Sequence, residues 1–180
     1  MNCIRKIVDE DFGLTSVEFD NPRIRYGARG IVINNEGNIA VFNKQVKNEY
    51  KLPGGGIDAG EDPEEAFKRE VLEETGCIIE VVDDLGTIEE HKTLDNFKQI
   101  SYVFVGKVIE DTKQFDFTEK EKNEGARLLW CKALEGLKLI EDSYDNLKAS
   151  AYENLYHSKF INVRDQEILK FYLEKQKTRN

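Results

Sequence analysis

The 180-residue sequence predicts an α/β fold, a mixed set of strands around one central helix with further helices at the C-terminal end. Three observations carry that reading. Two apolar runs flank a turn-rich pentapeptide early in the chain, a helix with both ends capped sits in the middle, and apolar residues recur at helical spacing after about residue 138.

Taken in order, residues 1–24 form a lead-in with short apolar alternations at Cys3–Val8 and Leu14–Phe19, which suit two short strands or an irregular segment. Gly30–Ile33 and Ile39–Phe42 enclose Asn34-Asn35-Glu36-Gly37-Asn38, a strong hairpin signal. A polar loop, Asn43 to Glu49, leads into Tyr50-Lys51-Leu52 and the glycine loop Pro53-Gly54-Gly55-Gly56. Asp62 then suits an N-cap, Pro63 the first helical position and Glu65 the third, while Gly76 suits the left-handed stop just past the end. The helix so defined presents Phe67 and Val71 to a core. Leu72, roughly opposite, predicts packing on a second side.

Strands are expected at Ile78–Val82, Leu85–Glu90, Ile100–Val108 and Arg127–Lys132, the last carrying the single tryptophan, Trp130. Between the final two lies a long charged loop, Thr112 to Gly125, containing Phe115 and Phe117. Tyr144, Leu147, Ala151 and Leu155, and then Ile168, Phe171 and Tyr172, have helical spacing. Nothing in the composition marks a second domain, so the expectation is one domain over residues 1–180, with a core of about 25–137 and a helical extension over 138–180.

Composition narrows the function classes. Charged residues make up 34% of the chain and the mean hydropathy is −0.58, with no run near the roughly 20 apolar residues of a membrane span. The N-terminal stretch places acids where a secretion signal needs an apolar core, and the three cysteines, Cys3, Cys77 and Cys131, have no zinc or disulfide spacing. A cytoplasmic protein is expected. A net charge of −9 argues against binding a nucleic-acid polymer, but a metal can still bridge an acidic site to a small phosphate ligand.

The acidic residues are concentrated. Glu61, Glu64, Glu65, Glu70, Glu73 and Glu74 all fall within residues 61–74, a density that costs stability unless something positive sits among them. On a helix Glu70, Glu73 and Glu74 stand at i, i+3 and i+4, on one face. Oxygen-only donors suit a hard cation such as Mg²⁺ or Mn²⁺.

These residues resemble the box of the Nudix hydrolases, G-x5-E-x7-R-E-U-x-E-E-x-G-U, where U is aliphatic. Gly55, Glu61, Arg69, Glu70, Val71, Glu73, Glu74 and Gly76 occupy its fixed positions, and only Cys77 departs from the aliphatic at the end. The resemblance implies an α/β/α sandwich around a mixed sheet. It also implies a MutT-like pyrophosphohydrolase in which metal ions bridge the phosphates of a nucleoside diphosphate linked to X while water attacks phosphorus. Carried over, it makes Glu70, Glu73 and Glu74 metal ligands joined by a Gly54 or Gly55 carbonyl. Glu70 or Glu73 would orient or deprotonate the water, and Glu61–Arg69 would be a structural ion pair.

A further catalytic glutamate, from the loop before the tryptophan strand, falls on Glu124, with Glu121 as competitor. Arg29, Lys44 and Lys51, on or beside the strands leading to the glycine loop, are candidates for substrate phosphates. His91-Lys92-Thr93-Leu94-Asp95 carries neither the proline of ADP-ribose subfamilies nor the tyrosine of dinucleoside polyphosphate subfamilies. By elimination a nucleoside triphosphate is the first choice of substrate, with ADP-ribose or a nucleotide sugar as the alternative. A nucleotide sensor without hydrolysis, and an isomerase of the same fold, are the rival classes. The C-terminal helices would cover the site or form a homodimer interface.

Overall fold

A computed structural model describes residues 2–179. Its centre is an eight-stranded mixed sheet. The strands are β1 (Cys3–Ile7), β2 (Arg23–Ile33), β3 (Ile39–Lys44), β4 (Glu49–Lys51), β5 (Gly54–Gly56), β6 (Cys77–Lys92), β7 (Phe97–Asp111) and β8 (Ala126–Cys131). The order is β1-β6-β7-β2-β3-β4, with β5 paired to β2 and β8 to β3. β1 runs parallel to β6 and β2 parallel to β7, and the other pairs are antiparallel.

Alternation along β2 divides its side chains between two cores. Ala28 and Val32 face α1 (Pro63–Thr75), where they meet Ala66, Phe67 and Val71. Phe67 stacks on Phe104 with ring centroids 5.7 Å apart. Ile31 faces the other way, into a cluster with Val41, Val103 and the residues Ile140, Phe160, Ile168 and Leu169. Those last four belong to α3 (Ala133–Ser143) and α4 (Leu155–Arg179), so the sheet is covered by helices on both faces.

The central helix forms as its sequence dictates. The Asp62 carboxylate accepts from the Glu64 and Glu65 amides, Pro63 sits where no amide is needed, and Gly76 ends the helix at φ 68°. Leu72 differs from expectation. It is 41% exposed, and α1 packs on one side only. The break expected between Ile78–Val82 and Leu85–Glu90 is a series of bulges within one long strand, β6, because β7 is long enough to pair with both halves.

Of the outcomes expected for the lead-in, Cys3–Val8 holds the strand β1 and Leu14–Phe19 is the irregular segment, its backbone tied down by side chains, with the Val17 amide donating to Thr93 Oγ1 at 2.9 Å. Other expectations are corrected. The glycine loop is a short strand paired to β2. Tyr144 lies in a short 3₁₀ turn (Tyr144–Asn146), and Leu147 and Ala151 lie outside any helix, because the Lys148 amide donates to the Lys47 carbonyl (2.8 Å) and Asn48 to the Asn146 carbonyl (3.3 Å), so the backbone is spent on contacts between segments. The long loop after β7 contains a short helix, α2 (Glu119–Asn123), started by a Thr118–Glu121 capping box.

α4 is fastened to the sheet by buried charge. Glu90 accepts from Lys92 Nζ (2.8 Å) and Arg164 Nη1 (3.2 Å), and Arg164 Nε donates to Asp165 (2.8 Å). Asp165 in turn accepts the Leu52 amide at 2.9 Å, immediately before the glycine strand. Burial alone would raise the Glu90 carboxyl, but Lys92 and Arg164 hold it down at about 2. A depressed carboxyl contributes stability that is present above the unfolded pKa and lost as pH falls through the folded one. Glu90→Gln should therefore destabilise the protein by about 3 kcal/mol at pH 7. In urea unfolding the gap to the parent should narrow as pH falls from about 4.5 towards 2. A gap unchanged over that window would show that the network does not act through charge.

Candidate active site

α1 and β5 meet edge to face, and the contact is possible because β5 has no side chains. A Cβ on Gly55 would stand 2.3 Å from the Glu70 carboxyl carbon, so that carboxylate lies directly against the strand. The Gly54 amide donates to Glu74 Oε2 at 2.8 Å. Arg69 binds both oxygens of Glu61, at 2.8 and 2.9 Å, and its Nη2 also donates to the Gly56 carbonyl at 3.0 Å. One guanidinium thus ties the loop, the glycine strand and the helix together. The hydrogen bonds from Arg69, with the Asp58 amide, hold the Glu61 carboxyl at about 2.

The remaining carboxylates compete for few cations. Arg69 Nη1 reaches Glu70 at 3.0 Å and Glu73 at 3.5 Å. Burial and the neighbouring Glu70 push Glu73 upward. Glu74 is 3% exposed, and burial drives its carboxyl up to about 7 although Lys51 stands 3.3 Å away and Gly54 donates to it. Lys51 is half-buried, and Glu74, Glu121 and Glu49 keep its ammonium above the usual range. Among the described residues no three His, Cys, Asp or Glu side chains converge to hold a metal ion, because Glu70, Glu73 and Glu74 are each turned to Arg69 or Lys51. The donors themselves are oxygens of three acids beside a bare backbone strand, and two of those acids are disfavoured as charges where they stand. That chemistry fits a hard divalent cation.

A cleft of 420 Å³ opens from this contact between the sheet and α4. Glu70, Glu74, Gly54, Gly55 and Gly56 form one end, and Arg29, Lys44 and Lys51 line it as well. Arg29 is 4% exposed, donates to Ser101 Oγ at 3.1 Å, and is lowered to about 10 by burial and by Arg164. Lys44 is turned to Glu124 at 2.7 Å.

Glu124 does not face the cleft. It is 1% exposed, one oxygen accepts from Lys44 and the other from Ser150 Oγ at 2.7 Å. Its competitor Glu121 lines the cleft instead. Glu73 stands at the margin, with a side chain 40% exposed. Tyr50, Phe115 and Phe117 are not in the lining, and Tyr50 packs against the core below α3 and α4.

Sequence reasoning passed over Arg23, Arg25 and Arg164, which line the same cleft. A signal was available for two of them. Arg23, Arg25 and Arg29 are spaced by two and four, which on a strand places all three on one face.

A family model described as NUDIX domain matches residues 24–175. A Bacillus subtilis (strain 168) protein named "Putative 8-oxo-dGTP diphosphatase" is 33% identical over 93 residues, which cover 52% of this chain and 60% of that protein. An RNA pyrophosphohydrolase of Sulfurovum sp. (strain NBC37-1) is 48% identical over 50 residues, 28% of this chain and 31% of the relative. The chain thus spans less than two thirds of either relative. Among solved structures, the MutT protein from Methanosarcina mazei Go1 shares the fold with a TM-score of 0.52 at 19% identity, over 86% of this chain and 97% of that one.

The two glycines at the contact should respond differently to a methyl group. At Gly54, φ is +135° and a Cβ would lie 2.5 Å from the Arg29 Cα, so Gly54→Ala should cost more than about 2 kcal/mol in urea unfolding. At Gly55 the atoms nearest the methyl are the far end of the Glu70 side chain, so Gly55→Ala should displace that carboxylate at under about 1 kcal/mol. Equal losses would show that β5 is not the surface on which Glu70 rests.

Proposed function

The chain belongs to the Nudix family, and from that premise we propose that it is a pyrophosphohydrolase that splits the phosphoanhydride of a nucleoside triphosphate or another nucleoside diphosphate linked to X. The observation that carries the reading is the contact of the Glu70 and Glu74 carboxylates with a side-chain-free strand, at the mouth of a cleft lined by Arg29 and Lys51. Glu70, Glu73 and Glu74, with the Gly55 carbonyl, would hold Mg²⁺ or Mn²⁺, which when bound supplies charge neutralisation at the phosphate oxygens.

The chain's own groups have separable tasks. Arg29 and Lys51 bind the phosphates, Arg29 as a fork of donors fixed by Ser101 and Lys51 as a point charge. The glycine strand lets the phosphates approach the backbone. Arg69 holds Glu61 and the helix in place without touching substrate. One of the α1 carboxylates would orient or deprotonate the attacking water, and Glu121 is the next carboxylate in the lining. Glu124, bound on both oxygens, supports α2 and the loop near Ser150.

The rival reading is a nucleotide sensor of the same fold that binds without turnover. Product chromatography separates the two. With Mg²⁺ and a panel of canonical and oxidised nucleoside triphosphates, ADP-ribose, nucleotide sugars and dinucleoside polyphosphates, one class should be cleaved. Glu73→Gln should reduce that turnover by about 10²-fold or more while the melting curve stays cooperative. Tight magnesium-dependent binding without cleavage of any member would support the sensor and sink the hydrolase.

A further inference from the structure

One oxygen in the wall of the cleft stands apart from the rest. Glu49, on β4, lines the cleft and is fully buried. Its Oε1 accepts from Lys47 Nζ at 3.0 Å, and the same ammonium donates to Glu153 Oε2 at 2.5 Å. Among the described residues, Glu49 Oε2 is the one buried side-chain oxygen or nitrogen with no hydrogen-bond partner. A buried acceptor left unpaired costs stability, and nearly all such groups in folded proteins are paired.

The oxygen is not isolated for want of cations. Lys44 is the partner of Glu49 in register on β3, yet its ammonium is turned to Glu124 at 2.7 Å. Lys51, two residues along β4, is turned to Glu74 at 3.3 Å. Lys47 is not in the lining of the cleft, so the oxygen it holds is the one on the far side and Oε2 is left on the cleft side. The carboxylate is also held firmly. Lys47 is 0% exposed, and its carbonyl accepts the Lys148 amide at 2.8 Å. With one oxygen fixed in this way, the group presents a single acceptor in a set direction.

The donor it suits follows from its position relative to Lys51. Residues two apart on a strand share a face and stand about 7 Å apart. With Lys51 on a phosphate, that is the span from the phosphate next to a sugar to the ribose hydroxyls, and it falls short of the amino groups on the base of an extended nucleotide. We propose that Glu49 is a specificity-determining residue whose Oε2 accepts from a ribose hydroxyl, so that a ribonucleotide is preferred to the deoxy form that lacks it. The inference rests on the reading of Lys51 as a phosphate ligand.

Titration calorimetry in magnesium buffer tests it, with the 5′-monophosphates of adenosine, guanosine, cytidine and uridine and the 2′-deoxy and 3′-deoxy form of each. None contains an anhydride, so none is consumed by the proposed reaction. For the base bound most tightly, the ribonucleotide should bind about tenfold or more tightly than one of its deoxy forms, the gain of a hydrogen bond to a charged acceptor. In Glu49→Gln the amide oxygen stays with Lys47 and the NH₂ faces the cleft as a donor. That ratio should then fall to within about twofold of one, with the affinity for the deoxy form kept to within about twofold. Ribo and deoxy forms that bind alike for every base overturn the proposal in the parent protein, so the test does not depend on the variant folding. A ratio kept by a folded Glu49→Gln protein also overturns it, as does a loss shared equally by ribo and deoxy forms, which would mark a structural role. So does a preference among bases, in place of sugars, that the variant abolishes. Silence of every compound counts against the cleft as a nucleotide site and so against both readings, whereas binding with ratios near one counts against Glu49 alone.

Discussion

Like charges on a short helix constrain this molecule most. Glu70, Glu73 and Glu74 share one face of α1, and Glu61 approaches from the preceding loop. Left alone they would repel one another and resist burial. The fold answers with one arginine and one lysine, Arg69 and Lys51, and with a strand of three glycines that admits carboxylates to the backbone itself. The answer is incomplete, since Glu73 and Glu74 both remain raised. An additional cation would complete that compensation, as the proposed reaction requires.

The rest of the architecture keeps that contact in place. α1 is anchored from below by Phe67 and Val71 against Ala28, Val32 and Phe104. β5 hangs from β2 and is fixed at its approach by Asp165, whose carboxylate takes the Leu52 amide. Asp165 belongs to the Glu90–Arg164 network that holds α4 on the opposite face. The C-terminal helix is therefore a wall of the cleft and also a support for the strand on which the carboxylates rest, which gives it a part in the site that a surface extension would not have.

Much of this was legible in the residues. The capping of α1 and the hairpin around Asn34–Asn38 follow from local chemistry, the mixed sheet is what the resemblance implies, and the structure has all three. The ion pair of Glu61 with Arg69 is what the resemblance implies, and the structure has it. The differences arose where distant groups decide. Glu124, expected as a loop acid at the site, has both oxygens taken by Lys44 and Ser150. Tyr144 to Ala151 has helical spacing, yet its backbone is drawn away by Lys47 and Asn48. Leu72 looked like a second packing face because periodicity cannot say whether a neighbour exists to cover it. The arginine row of β2 was readable in principle from alternate spacing. What it faces was not, because α4 enters the cleft from more than 120 residues further on.

The central claim is that the carboxylates of α1 exchange Arg69 and Lys51 for a divalent cation. Crystals grown with Mn²⁺ and read by anomalous scattering test it most directly. The account predicts an anomalous peak enclosed by oxygens of Glu70, Glu73 and Glu74, with the Arg69–Glu70 and Lys51–Glu74 contacts opened. A peak elsewhere, or none while both ion pairs stay closed at saturating Mn²⁺, would contradict it.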